Sequence, residues 1–210
     1  MTKSTTAEIF TRIKETLATA KLGLRDVLDG GPERRLGGLR NLIVFGRAVT
    51  NVLQNLRSSE PTFDDWYRPF VAEMRDDPLL RYFYLLRTEI LKEGTLQTGN
   101  MLHIKSFEFP KDMQRLGPPP PGAGAGAFFM GDQAGGSGWE IKLPNGDTEK
   151  FYIDIPGDIA TSEVHLPDAP LMHKGVAIPD PKIETLSQLY LNYLNAMVEA
   201  ARVQFGERNA

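Results

Sequence analysis

The chain has no cysteine among its 210 residues. Disulfides, thiolate zinc sites, iron–sulfur clusters and cysteine nucleophiles are therefore excluded, and a reducing cytoplasm is the expected compartment. Long apolar runs are missing too: no stretch approaches the roughly 18 uninterrupted apolar residues of a membrane-crossing helix. The first residues, MTKSTTAEIFTRIKETL, are polar and charged and hold no apolar signal core. A secreted or membrane-spanning protein is not expected. Net charge is also small, −3, which argues against a general attraction to nucleic acid or anionic lipid. That average hides an asymmetry: the first 100 residues carry 15 Lys/Arg against 13 Asp/Glu, and the remainder carries 9 against 14. Any basic surface must come from the N-terminal part.

What is present reads first as helix. From about Thr6 to Leu28, Ile9, Ile13, Leu17, Ala20, Leu24 and Val27 recur at spacings of three and four, an apolar stripe on one helical face. Gly30-Gly31-Pro32 stops it, and Pro32 suits the first turn of a second helix running to about Arg57. Gly37, Gly38 and Gly46 weaken that helix and point to close approach of another one. Thr62 is a candidate cap for a third helix that buries Trp66, Phe70 and Met74. A fourth begins at Pro78 and ends at Gly94, with Leu79, Phe83, Leu86 and Ile90 inward. The last runs from about Pro181 to Phe205 along Ile183, Leu186, Tyr190, Tyr193, Met197 and Ala201.

Between Gly94 and the last helix the pattern changes. Leu102 to Phe109 reads as an extended run limited by Pro110, and Trp139–Leu143 with Glu149–Ile155 reads as a hairpin around Asn145-Gly146. One face of that hairpin, through Phe151, Ile153 and Ile155, is apolar. Residues 117–138 are low in complexity, with a stiff proline half and a flexible glycine half, and 156–181 has too many prolines for regular structure. The expected fold is therefore mainly α: an antiparallel bundle of about five helices with a small β-hairpin-containing insertion before the last helix. The expected spans are 1–94 for helices one to four, 95–180 for the insertion and 181–210 for the closing helix.

Functional motifs are few. Gly122-Ala123-Gly124-Ala125-Gly126 is followed by Ala127-Phe128-Phe129 instead of Lys-Ser/Thr, so it is a flexible loop and not a phosphate-cradling P-loop. Phe128, Phe129 and Met130 are large apolar residues in that arm. They either pack back on the domain or dock on a partner chain. Arg115 with Pro118–Pro121 has the spacing of a basic residue before PxxP, and reads as a spacer. His103, His165 and His173 lack the i,i+4 pairing of a zinc peptidase site, so neither a metal nor another cofactor is expected. Arginine is concentrated at Arg34, Arg35, Arg40 and Arg47 on the second helix and at Arg81 and Arg87 on the fourth. Arg40 and Arg47, seven apart, share a face; if exposed they form a phosphate-binding strip, and otherwise they pair with carboxylates such as Glu33, Glu60, Glu73 or Glu89.

The phrases Arg40-Asn41-Leu42-Ile43-Val44-Phe45 and Arg87-Thr88-Glu89-Ile90-Leu91-Lys92, with the order of helices, resemble the prokaryotic HEPN superfamily. That resemblance implies a helical bundle that dimerises, and in many members an RNA-cutting toxin or defence effector. The superfamily's motif, an arginine followed four to six residues later by histidine, is absent from both helices here. Metal-free RNA cleavage needs a group that titrates near neutrality, which arginine does not supply. Two expectations follow. The first is a non-catalytic interaction or regulatory protein, homodimeric, that engages a protein partner or RNA through Arg40, Arg47, Arg87, Phe128, Phe129 and Met130. The second is a degenerate endoribonuclease with Arg87, Glu89 and Lys92 as its fallback catalytic set.

Overall fold

The computed structural model describes residues 4–206, apart from the side-chain surroundings of residues 125 and 126. The outermost residues of the expected spans, 1–3 and 207–210, lie outside this range. The protein is mainly α with a β-containing region before its last helix, and the sheet content exceeds a single hairpin. It divides into two compact units. The first holds residues 1–30, 34–96 and 168–210, and the second holds residues 31–33 and 97–167.

In the first unit α1 spans Thr6–Asp29 and opens with a capping box: Glu8 N donates to Thr5 Oγ1 at 3.2 Å and Thr5 N donates to Glu8 Oε2 at 2.9 Å. Its buried residues are the stripe read from the sequence. Helix α2, Gly31–Leu53, continues as a 3-10 turn over Gln54–Ser58. Helix α3, Phe63–Asp76, departs from expectation, because it buries Phe63 and Tyr67 while Trp66, Phe70 and Met74 are half-buried. The reason is an aromatic cluster at the end of the last helix, α6 (Ile183–Phe205). Phe205 lies 5.9 Å from Phe63 and packs edge-on against Trp66 at 5.2 Å, while Phe63 stacks on Tyr67 at 5.1 Å. Nor does the Thr62 hydroxyl cap α3. At φ −91°, ψ 2° it lies outside the extended region from which capping side chains reach back. Helix α4, Pro78–Glu93, is capped by Asp77 and closed by Gly94 in the left-handed region. A small hairpin, β6 (Met172–His173) and β7 (Val176–Ala177), turns through Lys174 and Gly175, both at positive φ.

The second unit contains strand β1 (Gly99–Ile104) paired antiparallel with β5 (Ala160–His165), and a three-stranded antiparallel sheet of β2 (Ala123–Phe129), β3 (Ser137–Lys142) and β4 (Thr148–Ile153). Four local expectations need correction here. The extended run stops at Ile104, and a short helix α5, Lys111–Arg115, follows it. The glycine half of 117–138 forms strand β2 instead of a flexible loop, because the backbone of β3 offers partners that glycine and alanine give no sequence signal for. Strand β5 lies in the span read as irregular, and its partner β1 is some sixty positions away in sequence, beyond the reach of local pattern. The Asn145-Gly146 turn is a five-residue loop. Pro144 holds a negative φ, Gly146 N donates back to Leu143 O at 2.9 Å, and Gly146 alone has positive φ. A core of Leu116, Ile159 and Ala160 gathers Leu102, Met113, Phe128, Met130, Ile153 and Ile155, while Phe151 is left half exposed.

Candidate functional site

Of the arginines read from the sequence as one binding set, Arg47 lines a cleft whose lining does not include Arg40 or Arg87. Arg40 Nη1 donates to Gly94 O at 3.0 Å, which puts its charge on the carbonyl end of α4 in a structural, dipole-matched role. Arg87 is half-buried. Glu89 accepts from Thr95 Oγ1 at 3.2 Å, and Lys92 is exposed. Arg40 and Glu89 are thus engaged at neighbouring points after the end of α4, Gly94 and Thr95. Arg47 points elsewhere, into a cleft of about 650 Å³ in the helical unit.

Four guanidiniums line that cleft: Arg47 from α2, Arg57 from the 3-10 turn, Arg75 from α3 and Arg81 from α4. Four tyrosines line it as well, Tyr67, Tyr84, Tyr190 and Tyr193. Among the described residues the lining includes no carboxylate, lysine or histidine. Arg57 pairs with Asp64 and also donates to Gln54 Oε1 at 3.0 Å, and Arg75 pairs with its neighbour Asp76 at 2.7 Å. Arg47 donates to Thr50 Oγ1 and lies 5.7 Å from the centre of the Tyr84 ring. Among the described residues neither Arg47 nor Arg81 has a carboxylate partner.

The tyrosines are held by packing. Tyr190 stacks on Phe83 at 4.2 Å, and its ring stands where α2 has Gly46: a Cβ there would lie 2.6 Å from it. Burial pushes the Tyr190 and Tyr193 phenols up, beyond any reach of neutral pH, and for Tyr193 the nearby Glu73 carboxylate adds to the shift. Tyr67 is raised by burial against the opposing effect of Arg47. All three therefore stay neutral hydroxyls. Two of them, Tyr67 and Tyr193, have buried oxygens that complete no hydrogen bond among the described residues, although Thr50 and Arg47 lie close to the first and Glu73 to the second.

Sequence reasoning reached Arg47 as a binding residue in this cleft, and Arg81 as a member of the arginine cluster on the second and fourth helices. Arg57 comes from the 3-10 turn and Arg75 and Tyr67 from α3, while the sequence pattern places Tyr190 and Tyr193 only in an apolar stripe. The available signal was that a buried tyrosine needs a partner for its hydroxyl.

The Phe128–Met130 arm is occupied within its own unit. Phe128 meets Trp139 edge-on at 5.0 Å, Phe129 meets Tyr152 at 5.9 Å with Lys150 Nζ 5.0 Å from its ring centre, and Met130 joins the Leu116 core. Arg115 is also engaged, by Asp112 and by both carboxylate oxygens of Asp158. His103 and His165 each place Nε2 near Glu163, at 3.9 and 3.8 Å, and His173 binds Asp77. Among the described residues no group of three or more histidine or carboxylate side chains is arranged to hold a metal ion, and no helix is long and apolar enough to cross a membrane.

A family model described as Bacteriophage lambda protein ea47 matches residues 32–108, rather more than a third of the chain. This span contains the two phrases on which the HEPN resemblance rested, and it corrects that resemblance. An arginine followed by aliphatic residues is what any amphipathic helix of this composition offers, and the histidine that would make it specific is missing. The match includes all four arginines of the cleft, with Tyr67 and Tyr84, and excludes Tyr190 and Tyr193 on α6. No curated protein and no solved structure matches the chain, so its similarity extends to the lambda ea47 family over residues 32–108.

Proposed function

We propose that this chain is a non-catalytic interaction or regulatory protein that recognises an anionic partner in the cleft of its helical unit. The observation that carries this reading is the lining of four arginines without a carboxylate, two of them, Arg47 and Arg81, with no acidic partner of their own. A guanidinium is planar, permanently charged and suited to phosphate and carboxylate oxygens. The absence of catalysis is supported by the same lining. Arginines and phenols with raised pKa offer no group able to take and return a proton near neutrality.

On this reading the five long helices form an antiparallel bundle closed by α6, with the arginine cleft opening from it. A homodimer belongs to the reading as well, supported by Leu85 and Leu91, which expose about half of their surface along α4. A cytoplasmic setting is supported by the lack of cysteine.

The test is calorimetric titration of the purified protein with pyrophosphate and with a short single-stranded RNA, at low and at raised ionic strength. Binding of either probe is expected, weakened by salt and reduced about tenfold or more by Arg47→Ala or Arg81→Ala, since a charge-assisted contact is worth upwards of ~1.5 kcal/mol. The RNA should be recovered intact. Failure of both probes to bind, or cleavage of the RNA that disappears in the Arg47 variant, would overturn the proposal.

A further inference from the structure

We infer that the cleft takes a nucleoside monophosphate, with its phosphate held by Arg47 and Arg81 and its flat base among the tyrosines. The inference rests on the anion-binding reading and adds the identity of the ligand's other half.

Size comes first. A cleft of about 650 Å³ lies in the range of small-molecule sites. A folded partner would instead need roughly 800 Å² of surface on each side. The ligand is therefore a small molecule, or the end of something larger.

The second argument is that charge accounts for only part of the lining. Arg47 and Arg81 line the same cleft from two helices and have no carboxylate partner among the described residues, which leaves both guanidiniums available to a phosphate group. Inorganic phosphate would leave the rest of the volume, walled by Tyr67, Tyr190, Tyr193 and Leu194, without contacts. A ligand that fills it needs a flat apolar body joined to the anion. Tyr84 shows how such a body is received: the ring is about half exposed, and the Arg47 guanidinium lies over it at 5.7 Å, so that charge and an aromatic face are presented together.

The third argument is independent of charge. Tyr67 and Tyr193 are 2% and 4% exposed, and their phenol oxygens are buried without a completed hydrogen bond among the described residues. Buried hydroxyls are normally satisfied. A base edge carries ring nitrogens and carbonyl or amino groups that match two neutral hydroxyls, each able to donate and to accept. A plain hydrocarbon or a simple aryl phosphate would leave both oxygens with only the incomplete contacts to Thr50, Arg47 and Glu73.

The experiment is a calorimetric panel on the full chain: AMP, GMP, CMP and UMP, each compared with ribose 5-phosphate, with inorganic phosphate and with the matching nucleoside. At least one nucleotide is expected to bind about tenfold or more tightly than ribose 5-phosphate and than its own nucleoside, since both halves contribute. Arg47→Ala and Arg81→Ala should remove most of the advantage over the nucleoside. Tyr67→Phe and Tyr193→Phe should remove most of the advantage over ribose 5-phosphate, with thermal melting confirming that each variant is folded. If ribose 5-phosphate and inorganic phosphate bind as tightly as every nucleotide, the nucleotide inference falls and the anion-binding reading stands. If the nucleotides fail but a single-stranded RNA binds, the inference falls in favour of a polymer. If no anion binds, both fall.

Discussion

Gly23 of α1 and Gly38 of α2 face one another without side chains between them. A Cβ on Gly23 would stand 2.6 Å from Gly38 O, and one on Gly38 would stand 2.7 Å from Gly23 O and 2.5 Å from Asp26 Cβ. Backbone obstructs both positions, so the helices must separate to admit a methyl group. Gly23→Ala and Gly38→Ala are each expected to cost about 2 kcal/mol or more, as overpacking does. Gly37 is the internal control: a Cβ there meets nothing within 4 Å. Gly37→Ala should stabilise by roughly 0.5–1 kcal/mol through helix propensity. Urea midpoints of the three variants decide the matter, and a Gly38→Ala protein as stable as the parent would refute the close approach.

The glycine pattern also marks where the sequence could be read and where it could not. Three helix-weakening glycines in α2 implied a close neighbour, and this holds for Gly38 and Gly46 but not for Gly37. The difference lies in which way each residue faces, a tertiary fact. Helices α1, α4 and α6 were legible because the stripes they bury repeat within a single segment. Strand β2 was not, since an Ala-Gly run carries no periodic signal and becomes a strand only because β3 pairs with it. The cleft was the least legible feature. Arg47, Arg81 and Tyr193 sit on three helices, and only packing brings them to one cavity.

Asp77 is expected to tie acid stability to the first turn of α4. Burial opposes its charge, yet donation from Lys174 N at 2.7 Å, Leu80 N at 3.0 Å and the His173 ring at 3.0 Å outweighs it and holds its pKa below the ordinary carboxylate value. A depressed folded pKa stabilises above the unfolded pKa of about 3.9 and loses that contribution as pH falls through the folded value. Asp77→Ala removes a helix cap and two further acceptor contacts, a loss of about 2 kcal/mol near neutrality. The gap between parent and variant, measured by denaturant melts across pH, should be flat above about pH 5 and narrow below about pH 4. A gap independent of pH would mean that the carboxylate charge contributes nothing.

In the second unit Asp132 gathers the turn before β3. Its Oδ1 accepts from Ala134 N and Gly136 N, and its Oδ2 accepts from Tyr152 Oη at 2.6 Å and Lys150 Nζ at 2.7 Å. Burial raises the Tyr152 pKa, and donation to Asp132 raises it further, so the phenol remains a donor at all ordinary pH. Tyr152→Phe should cost about 1–2 kcal/mol, because a partly buried carboxylate loses one of its donors. Hydrogen exchange should localise the change: faster exchange at the Ala134 and Gly136 amides is expected, with α1 unaffected. Uniform acceleration across both units would argue against a local role.

Tyr67→Phe should behave in the opposite way to Tyr152→Phe, and the contrast tests what the cleft is for. The Tyr67 oxygen is buried and completes no hydrogen bond among the described residues, so its removal gives up no contact and relieves a desolvated hydroxyl. Stability is expected to stay level or to rise by up to about 1 kcal/mol in thermal or urea melts. Its ring remains stacked on Phe63 at 5.1 Å, which leaves the packing of α3 in place. Affinity for a nucleotide should nevertheless fall, because the hydroxyl is one of two in the lining that complete no hydrogen bond of ordinary geometry among the described residues. A site kept at some cost to the fold moves the two quantities apart, so a Tyr67→Phe protein that melts lower than the parent would show that the hydroxyl already serves Thr50 or Arg47 and is not held for a ligand.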